Sequence, residues 1–249
     1  MIKQIVRKIK YTIYPRYCPF CIGNWREFNS HGFEFPVLKK VEIIGGGKRP
    51  HVCPNCSSTD RLRMIYSYLK SETKFLDSDY PLKILHIAPE RLLMELFKKN
   101  NYHHYTAIDK FNFGGDIRFG DITDLEFDDN YFDLVICNHV LEHIDNDLLA
   151  MTELNRVLKK NGIAILQVPY SEKISNNIED SSIKDPRERE LHFGQNDHVR
   201  IYALNEFEER LNKSNFKTEF ISPFSRNWNN EPNKLGLNKK EKLLLAHKK

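Results

Sequence analysis

Two cysteine pairs, CPFC (Cys18, Cys21) and CPNC (Cys53, Cys56), stand 31 residues apart, and no other feature constrains the front of the chain so strongly. Each pair sets two thiols on one tight turn, where Pro19 and Pro54 fix the backbone and N–H groups can point at sulfur. Two such turns complete a tetrahedral site of four thiolates, the donor set of structural zinc. With every position filled by protein, no position is open for chemistry. Metal binding then supplies the folding energy of a segment with little core of its own. The alternatives are two disulfides or unrelated free thiols. Disulfides fit less well, because no signal peptide is evident ahead of the pairs.

The 249 residues, 40% apolar and 12% aromatic, are enough for one medium domain and a small one. No apolar run approaches the length of a membrane span, so a soluble, cytoplasmic protein is expected. Cys137 lies in an apolar run and reads as a buried small hydrophobe. The net charge of +4 permits anionic partners without demanding them. Residues 1–16 carry five basic groups and no acid, with Ile2, Ile5, Ile9 and Ile13 near helical spacing. This stretch reads either as a helix touching a membrane surface or RNA, or as one docking its apolar side on the zinc module.

The expected division is 1–80, holding the amino-terminal helix, zinc ribbon and linking helix, and 81–249. Between the knuckles, FEFPVLKKVEII followed by Gly45, Gly46 and Gly47 reads as a strand and glycine turn of the ribbon. SSTDRLRMIYSYLKSET begins with cap candidates and continues at helical period. Beyond Pro81 the pattern becomes α/β. KILHIA, HYTAID, DIRFGDI, FDLVICN and AILQVP are strands of a parallel sheet with helices between them. KTEFISPF and KLLLAHKK form an antiparallel closing pair. The helix over 145–162 is expected to end at Asn161 and Gly162.

In open parallel sheets ligands gather at the carboxyl ends of the strands. Those ends carry Asp109, Asp121, Asn138 and His139. Singly, Asp109 or Asp121 reads equally well as a turn cap, and His143 as a helix-start histidine. Their joint order is more specific. The runs GDITDLEFDDNYFDLVICNHVLEHIDND and ELNRVLKKNGIAILQVP resemble class I S-adenosylmethionine-dependent methyltransferases over about residues 82–249. CPNCSSTDRLR, ILHIAPE and FGQNDHVRIY are similar to bacterial members that carry a preceding zinc-binding segment.

The resemblance implies a Rossmann-like methyltransferase sheet after a small zinc ribbon. It also implies cofactor contacts from His86, Ile87, Ala88 and Glu90 to the methionine half, and from Asp109 and Lys110 to the ribose. Asp121 and Ile122 would flank the adenine, and Asn138 would face the cofactor beside the acceptor. HIAPE stands where the wider superfamily carries a glycine-rich turn, and Pro89 is expected to start the next helix.

Methyl transfer asks mainly for alignment, and a base only for a hydroxyl or protonated amine acceptor. His139, His143 and His198 are the candidate catalytic groups, with His192 and Asp197 nearby. Over a short stretch, HVLEH resembles the metal-binding region of quinone-precursor O-methyltransferases. The thirty-residue segment before residue 203 is expected to cover the site, with Arg187, Arg189 and Arg200 free for anionic groups. The expected acceptor is a hydroxyl of a small molecule or glycan. The alternatives are RNA, gripped by the zinc ribbon and basic amino terminus, and a non-catalytic cofactor-binding protein.

Overall fold

The structure, a computed structural model, describes residues 15–76, 81–99, 104–111, 114–226, 228 and 231–249. The expected basic helix over 1–16 lies almost entirely outside them. The described residues form two compact units. One holds those within Met1–Gly32, Lys48–Asp77 and Ser222–Glu241, and the other those within Phe33–Gly47, Ser78–Ile221 and Lys242–Lys249. Segments 33–47 and 222–241 each belong to a different unit from the stretches on either side of them. Among the described residues no helix is long and apolar enough to cross a membrane.

The first unit is built from two small antiparallel ladders, β1 (Arg16–Cys18) with β2 (Gly23–Trp25), and β3 (Asn29–His31) with β4 (Arg49–Val52). Helix α2 (Asp60–Glu72) completes it, and the Thr59 hydroxyl caps the helix by accepting from the Leu62 N–H. The returning segment 222–241 brings Gly236 against Phe28. At φ 61°, a Cβ here would lie 2.7 Å from the ring, so both backbone and space require glycine. The same segment delivers Glu241, 3% exposed, into an ion cluster in which Arg49 Nη2 lies 2.8 Å from Asp60 and 3.2 Å from Glu241.

The stretch 33–47 corrects the ribbon reading. Residues Pro36–Lys40 form a short helix, α1, because Pro36 sits at its first position, where a missing N–H costs nothing. It belongs to the second unit. Ile44 bridges to Tyr170, and Leu38 packs so closely on Gly194 that a Cβ there would sit 2.3 Å away.

The second unit is a seven-stranded sheet. In chain order its strands are β5 (Lys83–Ile87), β6 (His104–Asp109), β7 (Ile117–Phe119), β8 (Phe132–Cys137), β9 (Leu158–Ile165), β13 (Phe216–Ile221) and β14 (Leu243–Lys248). The spatial order is β13-β14-β9-β8-β5-β6-β7. Strands β7 to β9 run parallel, and β14 and β13 close the sheet antiparallel. The chain steps outward from β5 through β6 to β7, then returns to β5's other edge as β8. The carboxyl ends of β5 and β8 therefore face a topological switch point.

Helix α4 (Asp147–Val157) ends three residues earlier than its sequence cap implies. Asn161, at φ 65°, and Gly162 lie inside β9, which begins at Leu158, so the turn residues bend a strand instead of ending a helix. Between β9 and β13 a small second sheet forms from β10 (Tyr170–Ser171), β11 (Ile178–Glu179) and β12 (Arg200–Ala203). Helix α5 (Pro186–Phe193) lies in the same insertion, and α6 (Leu204–Lys213) follows β12.

Burial, and then the charge of Asp60, push the Glu241 carboxyl up to about 7. A carboxyl raised in the fold favours the protonated form. The stability it contributes is thus present below the usual carboxylate range and lost as pH rises through 7. Both tryptophans, Trp25 and Trp228, lie in the first unit, so their fluorescence reports its unfolding alone. The thermal midpoint read this way should fall between about pH 6 and about pH 8 in the native chain, and Glu241→Gln should remove that fall.

Candidate functional site

The four cysteines come together as the knuckle spacing requires. One Sγ from each lies within 4.8 Å of all the others. Cys18 and Cys56 are 3.5 Å apart at sulfur, and Cys21 and Cys53 3.7 Å. Those separations are far too long for a disulfide and match the edge, about 3.8 Å, of a tetrahedron with bonds of about 2.3 Å to zinc. The two knuckles share one backbone device. The residue after each second cysteine, Ile22 at φ 54° and Ser57 at φ 62°, is left-handed. Burial pushes the Cys18 thiol up to about 12, against the Ser58 hydroxyl and the Cys21 N–H. At Cys56 burial opposes ionisation, yet the Ser58 hydroxyl and N–H bring the thiol down to about 7.

Beside this cluster sits Arg63, fully buried. Its Nε donates to the Leu235 carbonyl at 2.7 Å, Nη1 to the Ser58 carbonyl at 2.6 Å, and Nη2 to the His51 carbonyl at 2.9 Å. Its plane lies 3.8 Å over the Phe28 ring. Burial draws its pKa down to about 10, while the cysteines and Asp60 favour the charged form. The guanidinium thus sets a positive charge beside the four cysteines. Helical period after Thr59 places it inward in the sequence, but nothing there marks it as a counter-charge.

In the second unit, the ends of β5 and β8 are joined by side chains. His86 Nε2 donates to Glu90 Oε2 at 2.6 Å, and Asn138 Nδ2 donates to Glu90 Oε1 at 3.0 Å. Tyr105, which the sequence reading missed, reaches His86 Nδ1 at 2.8 Å. Burial, and then the charge of Glu90, push its phenol well above the usual range. Burial works against ionisation of Glu90, but the His86 bond and charge and the Asn138 amide hold its carboxyl below the usual range. Asn138 is 5% exposed, and its Oδ1 has no partner.

Ala88, at φ 46°, supplies the sharp turn after β5 that glycine supplies elsewhere. Helix α3 (Arg91–Lys98) follows, with Glu90 at its N-cap position and no side-chain cap on its first turn. Pro89 therefore precedes the cap and does not occupy the first helical position.

Asp109 ends β6 opposite Phe119 of β7, and its carbonyl accepts from the Gly120 N–H at 3.0 Å, which sets Asp121 nearby. Each carboxylate also serves a turn: Asp109 Oδ1 accepts from the Phe111 N–H at 2.9 Å, and Asp121 Oδ1 from the Thr123 N–H at 2.8 Å. The capping readings of both residues are thus realised. A cavity of about 320 Å³, lined by Ile108, Phe119, Asp121 and Leu125, opens there. Ile122 is buried in the core, Ile87 is 4% exposed, and Lys110 is on the surface with Nζ over the Phe111 ring.

Beyond Asn138, His139 turns at φ 55° into a short 3₁₀ helix, Leu141–His143. His139 Nδ1 donates to Glu142 Oε1 at 3.1 Å. The His143 and His198 rings stand edge to face, 4.7 Å between centroids. Burial draws His198 down to about 4, so its ring is neutral near pH 7. Arg200 fixes this turn. Its guanidinium donates to the Leu141, Ile144 and Asp145 carbonyls and pairs with Glu179. It is 5% exposed, which corrects its reading as a free anion ligand. Arg189 likewise donates to the Ile183 carbonyl. His192, exposed beside Phe193, carries no bond to this cluster.

Residues 85–166 match the family described as a methyltransferase domain. Over that stretch the chain is similar to a methyltransferase domain. Among its relatives, a demethylmenaquinone methyltransferase of Staphylococcus carnosus is 26% identical over 66% of this chain and 59% of that protein. A protein of Methanocaldococcus jannaschii, described as uncharacterized, is 51% identical over 47 residues, 19% of this chain and 20% of that protein. This chain thus spans less than two thirds of the length of the curated relatives it matches. A solved S-adenosylmethionine-dependent methyltransferase of Archaeoglobus fulgidus is 14% identical, with TM-score 0.47, over 77% of this chain and 95% of that one.

Replacing Arg63 by leucine strands three buried carbonyls and removes the counter-charge. The first unit should lose more than about 3 kcal/mol. Denaturant unfolding followed by tryptophan emission measures this, and the emission midpoint should move while helical circular dichroism of the second unit holds.

Proposed function

We propose that this chain transfers a methyl group from S-adenosylmethionine to a hydroxyl of a small molecule or glycan, and that its four cysteines hold a structural zinc ion. One observation carries the enzyme reading. At the switch point of the sheet, Asn138 and Glu90 are bonded across the tips of β8 and β5, Asn138 Oδ1 is unpartnered, and the first turn of α3 is uncapped. An ionised carboxylate, an unpaired amide oxygen and free backbone N–H groups complement an amino-acid moiety that carries both an ammonium and a carboxylate.

When bound, S-adenosylmethionine supplies a methyl group already activated on a sulfonium. The residues of the chain bind and orient. The first-turn N–H groups of α3 take the methionine carboxylate, and Glu90, steadied by His86, takes the ammonium. Ile87 and Ala88 form the wall beneath. Asp109 accepts from the ribose hydroxyls, with Lys110 at the rim, and Asp121 and Ile122 flank the adenine. Asn138 faces the cofactor, and the histidines beyond it, His139, His143 and His198, meet the acceptor.

Titration calorimetry of the zinc-loaded protein with S-adenosylmethionine and its demethylated product tests the reading. Binding at one site per chain is expected, weakened about tenfold by Asn138→Ala or Asp109→Ala, the loss of one charged or buried hydrogen bond. Absence of binding in the native chain removes the enzyme reading. A strong chelator should release one zinc per chain and unfold the first unit, seen as a loss of structured tryptophan emission.

A further inference from the structure

We propose that Glu142, His143 and His198 form a second metal site, for a divalent first-row transition ion, at the carboxyl tip of β8. The three offer one carboxylate oxygen and two imidazole nitrogens, all within 4.8 Å of one another. Around one ion, such donors sit about 3 Å apart with bonds of about 2.1 Å, so a small contraction of side chains closes the shell. The HVLEH run alone groups His139 with Glu142 and His143. The fold instead brings His198 from the far insertion into the set, and His139 becomes the partner of a ligand.

Three independent features support a ligand role. Glu142 is 1% exposed, and while Oε1 accepts from His139, Oε2 has no hydrogen-bond partner. A buried carboxylate oxygen left bare is costly unless a cation meets it. Neither imidazole fills that role as a donor, since no hydrogen bond joins Glu142 to His143 or His198 among the described residues.

Next, His143 Nδ1 lies 3.3 Å from both the carbonyl and Oδ2 of Asp197. A carboxylate behind one imidazole nitrogen orients the other toward a metal and raises its basicity. Finally, the cluster is held from behind. The Val199 N–H donates to the Glu142 carbonyl at 2.9 Å, and Arg200 donates to the Leu141, Ile144 and Asp145 carbonyls around the turn. Ligands fixed before the ion arrives lose little freedom on binding it.

Two imidazoles and one carboxylate suit manganese, iron, cobalt or zinc over magnesium or calcium. Three protein donors leave coordination positions open, so the ion can take acceptor oxygens. This part rests on the methyltransferase reading above. A coordinated hydroxyl is more acidic, and its proton passes to water. The oxygen then forms the C–O bond as the methyl–sulfur bond breaks, its electron pair staying on sulfur. An acceptor with two adjacent oxygens, a vicinal diol or a catechol, is the chemical class that such a site favours. His143 and His198 act as ligands here, and no histidine base is required.

The test is Mn²⁺ binding to the chain brought to one zinc per chain by metal analysis, so that only the four-thiolate site is filled, followed by the loss of the free-ion electron paramagnetic resonance signal. Mn²⁺ prefers oxygen and nitrogen donors and leaves the four-thiolate site alone. One ion per chain should bind, and pulsed spectra of the native protein should show nitrogen modulation from imidazole. Glu142→Gln and His198→Gln should each weaken binding by more than about tenfold. The pulsed measurement requires no variant, so it decides the matter even if a variant misfolds. Failure of the native chain to take up Mn²⁺, or bound Mn²⁺ without nitrogen coupling, overturns the site. S-adenosylmethionine binding without Mn²⁺ uptake overturns the metal site alone. Mn²⁺ uptake without cofactor binding overturns the methyltransferase reading and leaves the metal site standing.

Discussion

Parallel pairing of β5 with both β6 and β8 is the constraint from which the second unit follows. A strand hydrogen-bonded in parallel on both edges cannot be reached by hairpins, so longer crossovers must carry the chain: helix α3 between β5 and β6, and the stretch 120–131 between β7 and β8. The winding reverses at β5, so the tips of β5 and β8 stand side by side at a topological switch point. The residues whose bonds link those tips, His86, Glu90 and Asn138, then face one another by topology, although 48 positions separate Glu90 from Asn138.

Buried charge is treated alike in both units, by enclosing a guanidinium in carbonyl oxygens. Arg63 binds three carbonyls from separate parts of the first unit and stands beside four cysteines. Arg200 binds three carbonyls around the Leu141–His143 turn and the Glu179 carboxylate. The planar fork of arginine satisfies several acceptors from one centre, which lysine cannot do. Each arginine is costly to bury and costlier to remove. Each also holds in place a group of potential metal ligands. The insertion carrying β11, α5 and β12 thus delivers His198 and Arg200 to the β8 tip.

Strong periodicity made much of this legible. HYTAID, FDLVIC and the closing pair were readable because apolar runs bounded by turn residues specify buried strands, and the cysteine spacing specified one cluster. Asn161 and Gly162 misled, since turn residues serve a bent strand as readily as a helix end. FEFPVLKKVEII misled because a proline that starts a helix and a proline that interrupts a strand look alike until the packing partner, here Gly194, is known. Arg200 looked like a free cation because charge in a sequence carries no record of burial.

By itself the sequence determined most of the element types, the parallel alternation and the four thiols, since these depend on residue spacing along a few turns or one strand. Tertiary structure alone decided that 33–47 joins the second unit and 222–241 the first, that Tyr105 stands behind His86, and that His198 meets Glu142 and His143. Those are contacts between positions remote in the chain. Their free energy comes from closing long loops around a shared core and buried polar groups, which no local pattern encodes.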